Sequence, residues 1–213
     1  MDFAQNFALL SQREVQSAHF DKPQATVFTA FVVVGSEHRN IVIISDYLEH
    51  VRSNCCLFPK LTKKSLTSQD TKFVYFAQQI MVSNVKQLAP NVRVINYVTD
   101  GGPSHFKNRY NILNLTFHEM DFGVRAIWSF SATSHGKGPV DGLGAAIKST
   151  ATRYLMRHGP EEAFKNPKEF YNFSVKHQQS SKSRIEVLYA ESKEIEQLHQ
   201  ENNIKRWENI NGK

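Results

Sequence analysis

Apolar and polar residues recur with two different periods along the chain, and the switches between them place its elements. DFAQNFALL (Asp2 to Leu10) alternates in part and predicts a strand beginning almost at the chain start. Residues 11–24 are polar and predict a partly exposed segment and a turn. TVFTAFVVV (Thr26 to Val34) is β-branched and aromatic and stops at Gly35, which is the pattern of a strand. After the polar link SEHRN, the near-continuous apolar run IVIIS (Ile41 to Ser45) suits a central strand buried on both faces.

Residues 51–70, with Pro59 and the basic cluster Lys60, Lys63 and Lys64, read as a loop with room for a short helix before it. From Thr71 to Leu88, Phe73, Phe76, Ala77, Ile80, Met81, Val85 and Leu88 recur at helical spacing; Asp70 is placed as the N-cap and Pro90 as the stop. VRVINYV (Val92 to Val98) is the next strand, with Asp100 just past its end. Asp100-Gly101-Gly102-Pro103 turns into a helix that sets Phe106, Tyr110, Leu113 and Phe117 on one face.

RAIWSF (Arg125 to Phe130) is a further strand, followed by the Gly-rich loop SHGKG. A helix starting near Pro139 lines up Leu143, Ile147 and Tyr154 and ends at Gly159-Pro160. The remainder holds a strand-like run, Ile185 to Tyr189, and one charged helix, Glu191 to Trp207. The order βββ-α-β-α-β-α predicts an α/β protein with a mixed sheet flanked by helices. Residues 1–160 are expected as one domain, and 161–213 as a C-terminal extension packed on or beside it.

Composition narrows the class. At 213 residues, 40% apolar and 22% charged, the chain can bury a sizeable core and is not mostly disordered. Its net charge of +6 suits phosphate contacts but equally suits an ordinary soluble protein. Between Arg39 and Arg93 Lys and Arg outnumber acids, so a polyanion is expected to meet the first two-thirds of the chain. Cys55 and Cys56 are adjacent and no CxxC spacing exists, which argues against zinc and against a useful disulfide. No apolar run approaches the roughly 18 residues of a membrane span, and Asp2 sits where a signal peptide would be basic. The expectation is a nuclear or cytoplasmic protein, neither secreted nor bound to a membrane.

Three acids stand out by position. Asp2 opens the first strand, Asp100 ends the fourth, and Asp141 lies in the first turn of the helix after SHGKG. In a sheet with the first and fourth strands adjacent, Asp2 and Asp100 could meet, and a packed helix could bring in Asp141. Clustered carboxylates need cations, and their hard oxygens favour Mg²⁺ or Mn²⁺, two of which can serve both oxygens of a phosphodiester displacement. Each acid also has a plainer role: Asp2 as a terminal residue, Asp100 as a turn former, Asp141 as a helix-dipole partner.

The segment ATSHGKGPVDGLGAAIK (Ala132 to Lys148) permits close backbone approach through its glycines and alanines. Lys148 lies seven residues after Asp141 on the same helix face, and His135 and Lys137 add donors nearby. A Walker A loop fails here, because Gly138 follows Lys137 and Ala132 stands where the first glycine belongs; the dinucleotide fingerprint lacks its third glycine.

DFAQNF, QSAHF with the downstream QAT, VIISDYLEH, TDGGPSHFKNRYN and FSATSHGKGPVDGLGAAIK occur in this order. Together they resemble the uncharacterised transposon-derived proteins of animals that carry DG-x4-FKN followed by ATSHGKG-x2-DG-x-G. Such proteins are similar to DDE/D transposases, and the resemblance covers nearly the whole chain. It implies an RNase H-like core for metal-dependent DNA cleavage or strand transfer. Asp2 then matches the first acid and Asp100 the second; Asp141 is taken as the third, with Asp46 after the IVIIS strand in reserve. The resemblance further implies DNA as partner, contacted by His105, Lys107, Asn108 and Arg109 and by His135, Lys137 and Lys148; a homo-oligomer is compatible with it. Against the family pattern, the chain opens at the first catalytic strand, ends soon after Trp207 and matches poorly over 51–70. A fragment, a decayed element or a domesticated derivative is the expectation. The alternative is a catalytically inactive nucleic-acid-binding or assembly module of the same fold.

Overall fold

The computed structural model describes residues 1–9, 24–47, 63–102, 105–131, 138–158, 160–179 and 184–211. The chain is a mixed α/β protein that divides into two compact units, each assembled from two stretches. Met1–Leu48 with Lys137–Glu191 form the first; Glu49–Gly136 with Ser192–Lys213 form the second. Residues 161–213 are therefore shared between the units and do not form a separate layer. No helix among the described residues is long and apolar enough to cross a membrane.

The first unit holds a mixed four-stranded sheet in the order β1-β2-β3-β6: β1 (Asp2–Ala8), β2 (Gln24–Val34), β3 (Glu37–Ser45) and β6 (Ile185–Ala190). β1, β2 and β3 are antiparallel and β6 runs parallel to β3. Gly35, with φ of 60°, and Ser36 make the two-residue turn between β2 and β3, so β3 begins four residues before the apolar run that announced it. Ala25 through Ala30 and Ile41 through Ser45 are buried on successive positions, as central strands should be. The run Ile185 to Tyr189 is no appendage: it is β6, the edge strand of this sheet beside β3, and the Ser45 hydroxyl donates to the Ala190 carbonyl across the join.

One face of this sheet is covered by α3 (Pro139–Arg157) and α4 (Pro167–Gln179), the latter reached through a 3-10 turn at Pro160–Glu162. Leu143, Ile147 and Ala151 of α3 and Phe170 of α4 close on Val27, Val42, Ile44 and Val187. Each large side chain so buried contributes about 1.5–3 kcal/mol.

The second unit holds a parallel two-stranded ladder, β4 (Val94–Asp100) with β5 (Arg125–Ser131), and the helices α1 (Lys63–Leu88), α2 (Arg109–Phe122), α5 (Ser192–Asn202) and α6 (Ile204–Asn211). Neither ladder pairs the first strand with the fourth. α1 starts at Lys63, so Asp70 lies inside it and does not cap it; no Pro or Gly between Leu61 and Ala89 interrupts the helical pattern.

The inner side of α2 also differs from the expected one. Tyr110, Asn111, Asn114 and His118 are buried, whereas Leu113 and Phe117 are half-exposed. The polar members are held by specific bonds: Asn111 Nδ2 donates to the His105 and Phe106 carbonyls, and Asn114 Oδ1 accepts from Trp207 Nε1. The tail helix is two helices, because Asn203 interrupts it.

Candidate functional site

In the first unit, Asp2 pairs with Thr29 and Ala4 with Val27. Residues two apart share a strand face, so Asp2 and Ala4 look the same way. α3 lies over that face at very close range. A Cβ added to Gly144 would stand 2.8 Å from Ala4 Cβ and 3.4 Å from Thr29 Cγ2.

The direction of α3 follows from its other end. Tyr154 lies 6.2 Å from Phe164, and Phe164 lies 6.5 Å from Phe7, ring to ring. With Gly144 over Ala4 and Tyr154 toward Phe7, α3 runs in the same sense as β1. Its first turn, with Asp141, is therefore at the Asp2 end. Asp141 precedes Gly144 by three residues, about 4.5 Å of helix rise, and Asp2 precedes Ala4 by two, about 6.6 Å of strand. The two acids share one end of one face.

Asp141 is exposed and caps its own helix: Oδ2 accepts from the Gly138 N–H at 3.2 Å, while its N–H bonds the Gly138 carbonyl. Oδ1 makes no hydrogen bond among the described residues. Lys148 continues the stripe of Asp141 and Gly144, about 10 Å further along the axis, and partial burial lowers its ammonium pKa.

Asp46 does not join Asp2. Ser45 pairs with Thr26, and Thr26 adjoins Ala25, the partner of Phe7, so Asp46 follows β3 at the Phe7 end. Asp2 lies level with Thr29 and Val42, four residues before Asp46, which is about 13 Å of strand. The charge of Asp46 acts on Tyr189, whose phenol is pushed up to about 12 by burial first, then by Asp46 and Glu191.

In the second unit, Asp100 ends β4 opposite Ser131 and is half-buried. Its Oδ1 accepts the Gly102 N–H at 3.2 Å, so it does form the turn expected of Asp-Gly-Gly. A Cβ on Gly102 would stand 3.2 Å from that same oxygen, so a side chain there would require the carboxylate to give way by a few tenths of an ångström. Oδ2 bonds to no described residue.

The residues after Asp100 mostly serve the fold. Asn108 is the N-cap of α2, its Oδ1 accepting from the Tyr110 and Asn111 N–H groups and from the Thr71 hydroxyl. Its oxygen is thus committed to the helix end. The His105 carbonyl accepts from Asn108 and Asn111 side chains. Arg109 folds over the Tyr110 ring and donates to its hydroxyl at 2.8 Å. Lys107 is exposed, with Nζ 5.6 Å from the Phe130 ring centre. His135 and Lys137 lie outside the described residues, as do Cys55 and Cys56.

Among the described residues, no group of three or more His, Cys, Asp or Glu side chains could hold a metal ion. The spacing of apolar residues along α2 gave no signal of a buried donor pair: His118 Nδ1 bonds the Val124 carbonyl and Nε2 bonds the Tyr97 hydroxyl at 2.9 Å. Burial lowers the His118 pKa and raises that of Tyr97, so both stay neutral.

No curated protein and no solved structure matches the chain. One family does, described as "Domain of unknown function (DUF8701)", and it matches residues 1–212. The chain belongs to that family, DUF8701, over virtually its whole length.

Proposed function

We propose that this protein is a transposase-derived, RNase H-like domain for metal-dependent cleavage or transfer of DNA strands. The observation that carries the reading is the passage of Gly144 over Ala4, which brings Asp141 of α3 to the end of the face that holds Asp2. The element order supports it: an antiparallel β1-β2-β3 meander, then α1, then parallel β4 and β5 joined by α2, then α3. Asp2 and Asp141 are the acids of the first unit in this reading, and Asp100 is that of the second.

The donor set suits a hard divalent cation. Asp100 and Asp141 each keep one carboxylate oxygen outside any hydrogen bond among the described residues. Mg²⁺ or Mn²⁺ suits oxygen donors of this kind, and such an ion would stabilise the attacking and leaving oxygens of a phosphodiester. Lys107, Arg109 and Lys148 would contact phosphate.

A second reading, a DNA-binding module without turnover, is favoured by one observation: Asp141 already has structural work as the cap of α3. Calorimetric Mn²⁺ titration of the wild-type chain and of Asp100→Ala separates the two. Binding that disappears in the variant, with Mn²⁺-dependent nicking of plasmid DNA, supports the enzyme. Absence of binding in both proteins leaves the module.

A further inference from the structure

The end of α3 and the end of α4 carry a repeated spacing that the acids do not explain: Tyr154-x3-His158 and Phe173-x3-His177. Residues four apart on a helix are neighbours, and in both pairs the rings are in contact, stacked in the first and tilted in the second. The His158 ring lies 4.1 Å from Tyr154 at 26°, and the His177 ring 4.2 Å from Phe173 at 47°. The two pairs also meet, with Tyr154 4.7 Å from Phe173 and 6.4 Å from His177.

Phe164 backs them, 5.0 Å from Phe173 and 5.7 Å from the fully buried Phe170. The rings thus form one array rooted in the core and opening at the surface, where both imidazoles are exposed. Anchored rings have little rotamer freedom left to lose on binding. Arg153, Arg157 and Lys176 are exposed in the same turns. Of the nearby acids Glu161 and Glu162, the second is engaged by the Tyr154 hydroxyl at 2.8 Å.

We infer that this surface stacks unpaired bases of single-stranded DNA. Flat rings accept any base, and the surrounding cations take the phosphates. Three cations against two carboxylates, one of them engaged by the Tyr154 hydroxyl, give a charge balance that suits a polyanion. Tyr154 lies thirteen residues beyond Asp141, about 20 Å along the α3 axis, so the surface holds a strand several nucleotides from that acid. The inference rests on DNA being the partner, but not on any metal chemistry.

The test is fluorescence anisotropy of a labelled oligo-dT of about 12 nucleotides with the full chain in EDTA. Wild type is expected to bind, and His158→Ala/His177→Ala to bind about 10-fold or more weakly, with circular dichroism and melting temperature unchanged. Arg157→Glu should weaken binding and flatten its salt dependence, again without loss of fold. Equal binding by wild type and the double variant overturns the surface, as does failure of the wild type to bind. Because no metal is present, these outcomes stand apart from Mn²⁺-dependent nicking. A chain that nicks plasmid yet shows no effect of the histidine pair would lose this surface and keep its proposed chemistry.

Discussion

Arg206 and Asp121, 85 residues apart in sequence, form a two-armed ion pair with both N–O distances at 2.6 Å. The Asp121 side chain is 7% exposed and also accepts from the Tyr75 hydroxyl at 2.8 Å. One residue further, Trp207 donates to Asn114 and packs its ring at a tilt against Tyr110 and His199. The tail is thereby fastened to α1 and α2, and this is why the last helices belong to the second unit. Removing one member strands a buried charge, so Arg206→Ala should cost about 3–5 kcal/mol in urea unfolding. Replacing both by Arg206→Met/Asp121→Leu should cost much less. If the single and double variants are equally destabilised, the pair acts through packing and not through charge.

Two buried histidines make the second unit sensitive to acid. Burial lowers the His118 pKa, and burial with the charge of Lys72 takes His199 down to about 4. A pKa lower in the folded chain than the ordinary 6.5 or so means that the unfolded chain takes up protons first. The stabilisation is complete above about 6.5 and disappears as pH falls toward 4. Urea midpoints measured by Trp fluorescence should fall across that window, and fall less steeply in His199→Gln. A flat profile between pH 6.5 and 4 would show that neither imidazole is held neutral.

Gly144 marks the closest approach of α3 to the sheet. Its substitution by Ala sets a methyl 2.8 Å from Ala4 Cβ, where the neighbour is a short side chain that cannot swing aside. The helix gains about 1 kcal/mol in propensity, yet overpacking of this kind costs about 1–3 kcal/mol. Gly144→Ala should therefore be neutral to clearly destabilising in thermal melts, and Gly144→Val strongly so. Ala4→Gly should restore most of what Gly144→Ala loses. A Gly144→Val chain as stable as wild type would mean that α3 does not lie this close to β1, and the shared end of Asp2 and Asp141 would go with it.

Much of the first unit was legible in the sequence because its signals are local. The apolar runs of β2 and β3 and the 143–147–154 spacing of α3 needed no knowledge of the rest of the chain. The place of β6 was not legible, since its parallel pairing with β3 joins residues about 145 apart, such as Asn40 and Ile185. The inner face of α2 was not legible for a different reason. Asn111, Asn114 and His118 look polar to any periodicity argument, and only their hydrogen-bond partners make them interior residues. Asp46 shows the limit at the candidate site: its strand end was recognised, but the antiparallel register that carries it away from Asp2 depends on pairing. Asp100 at its turn was readable, because Asp-Gly-Gly folds through contacts within three residues.

Asp141 is the residue at which structural and catalytic accounts compete, and one substitution separates them. Asn at this position can still accept the Gly138 N–H and cap α3, but it carries no charge. Asp141→Asn should keep the melting temperature of the wild type, whereas Asp141→Ala should lose about 0.5–2 kcal/mol with the cap. If Asp141 also ligates metal, Asn should weaken Mn²⁺ affinity at least 10-fold at that unchanged stability, because a neutral amide is a poorer donor to a hard cation than a carboxylate. Calorimetric titration of the Asn variant reads the two roles separately. Unchanged Mn²⁺ affinity would assign Asp141 to the helix end alone, and the third acid would then have to be sought among residues outside α3.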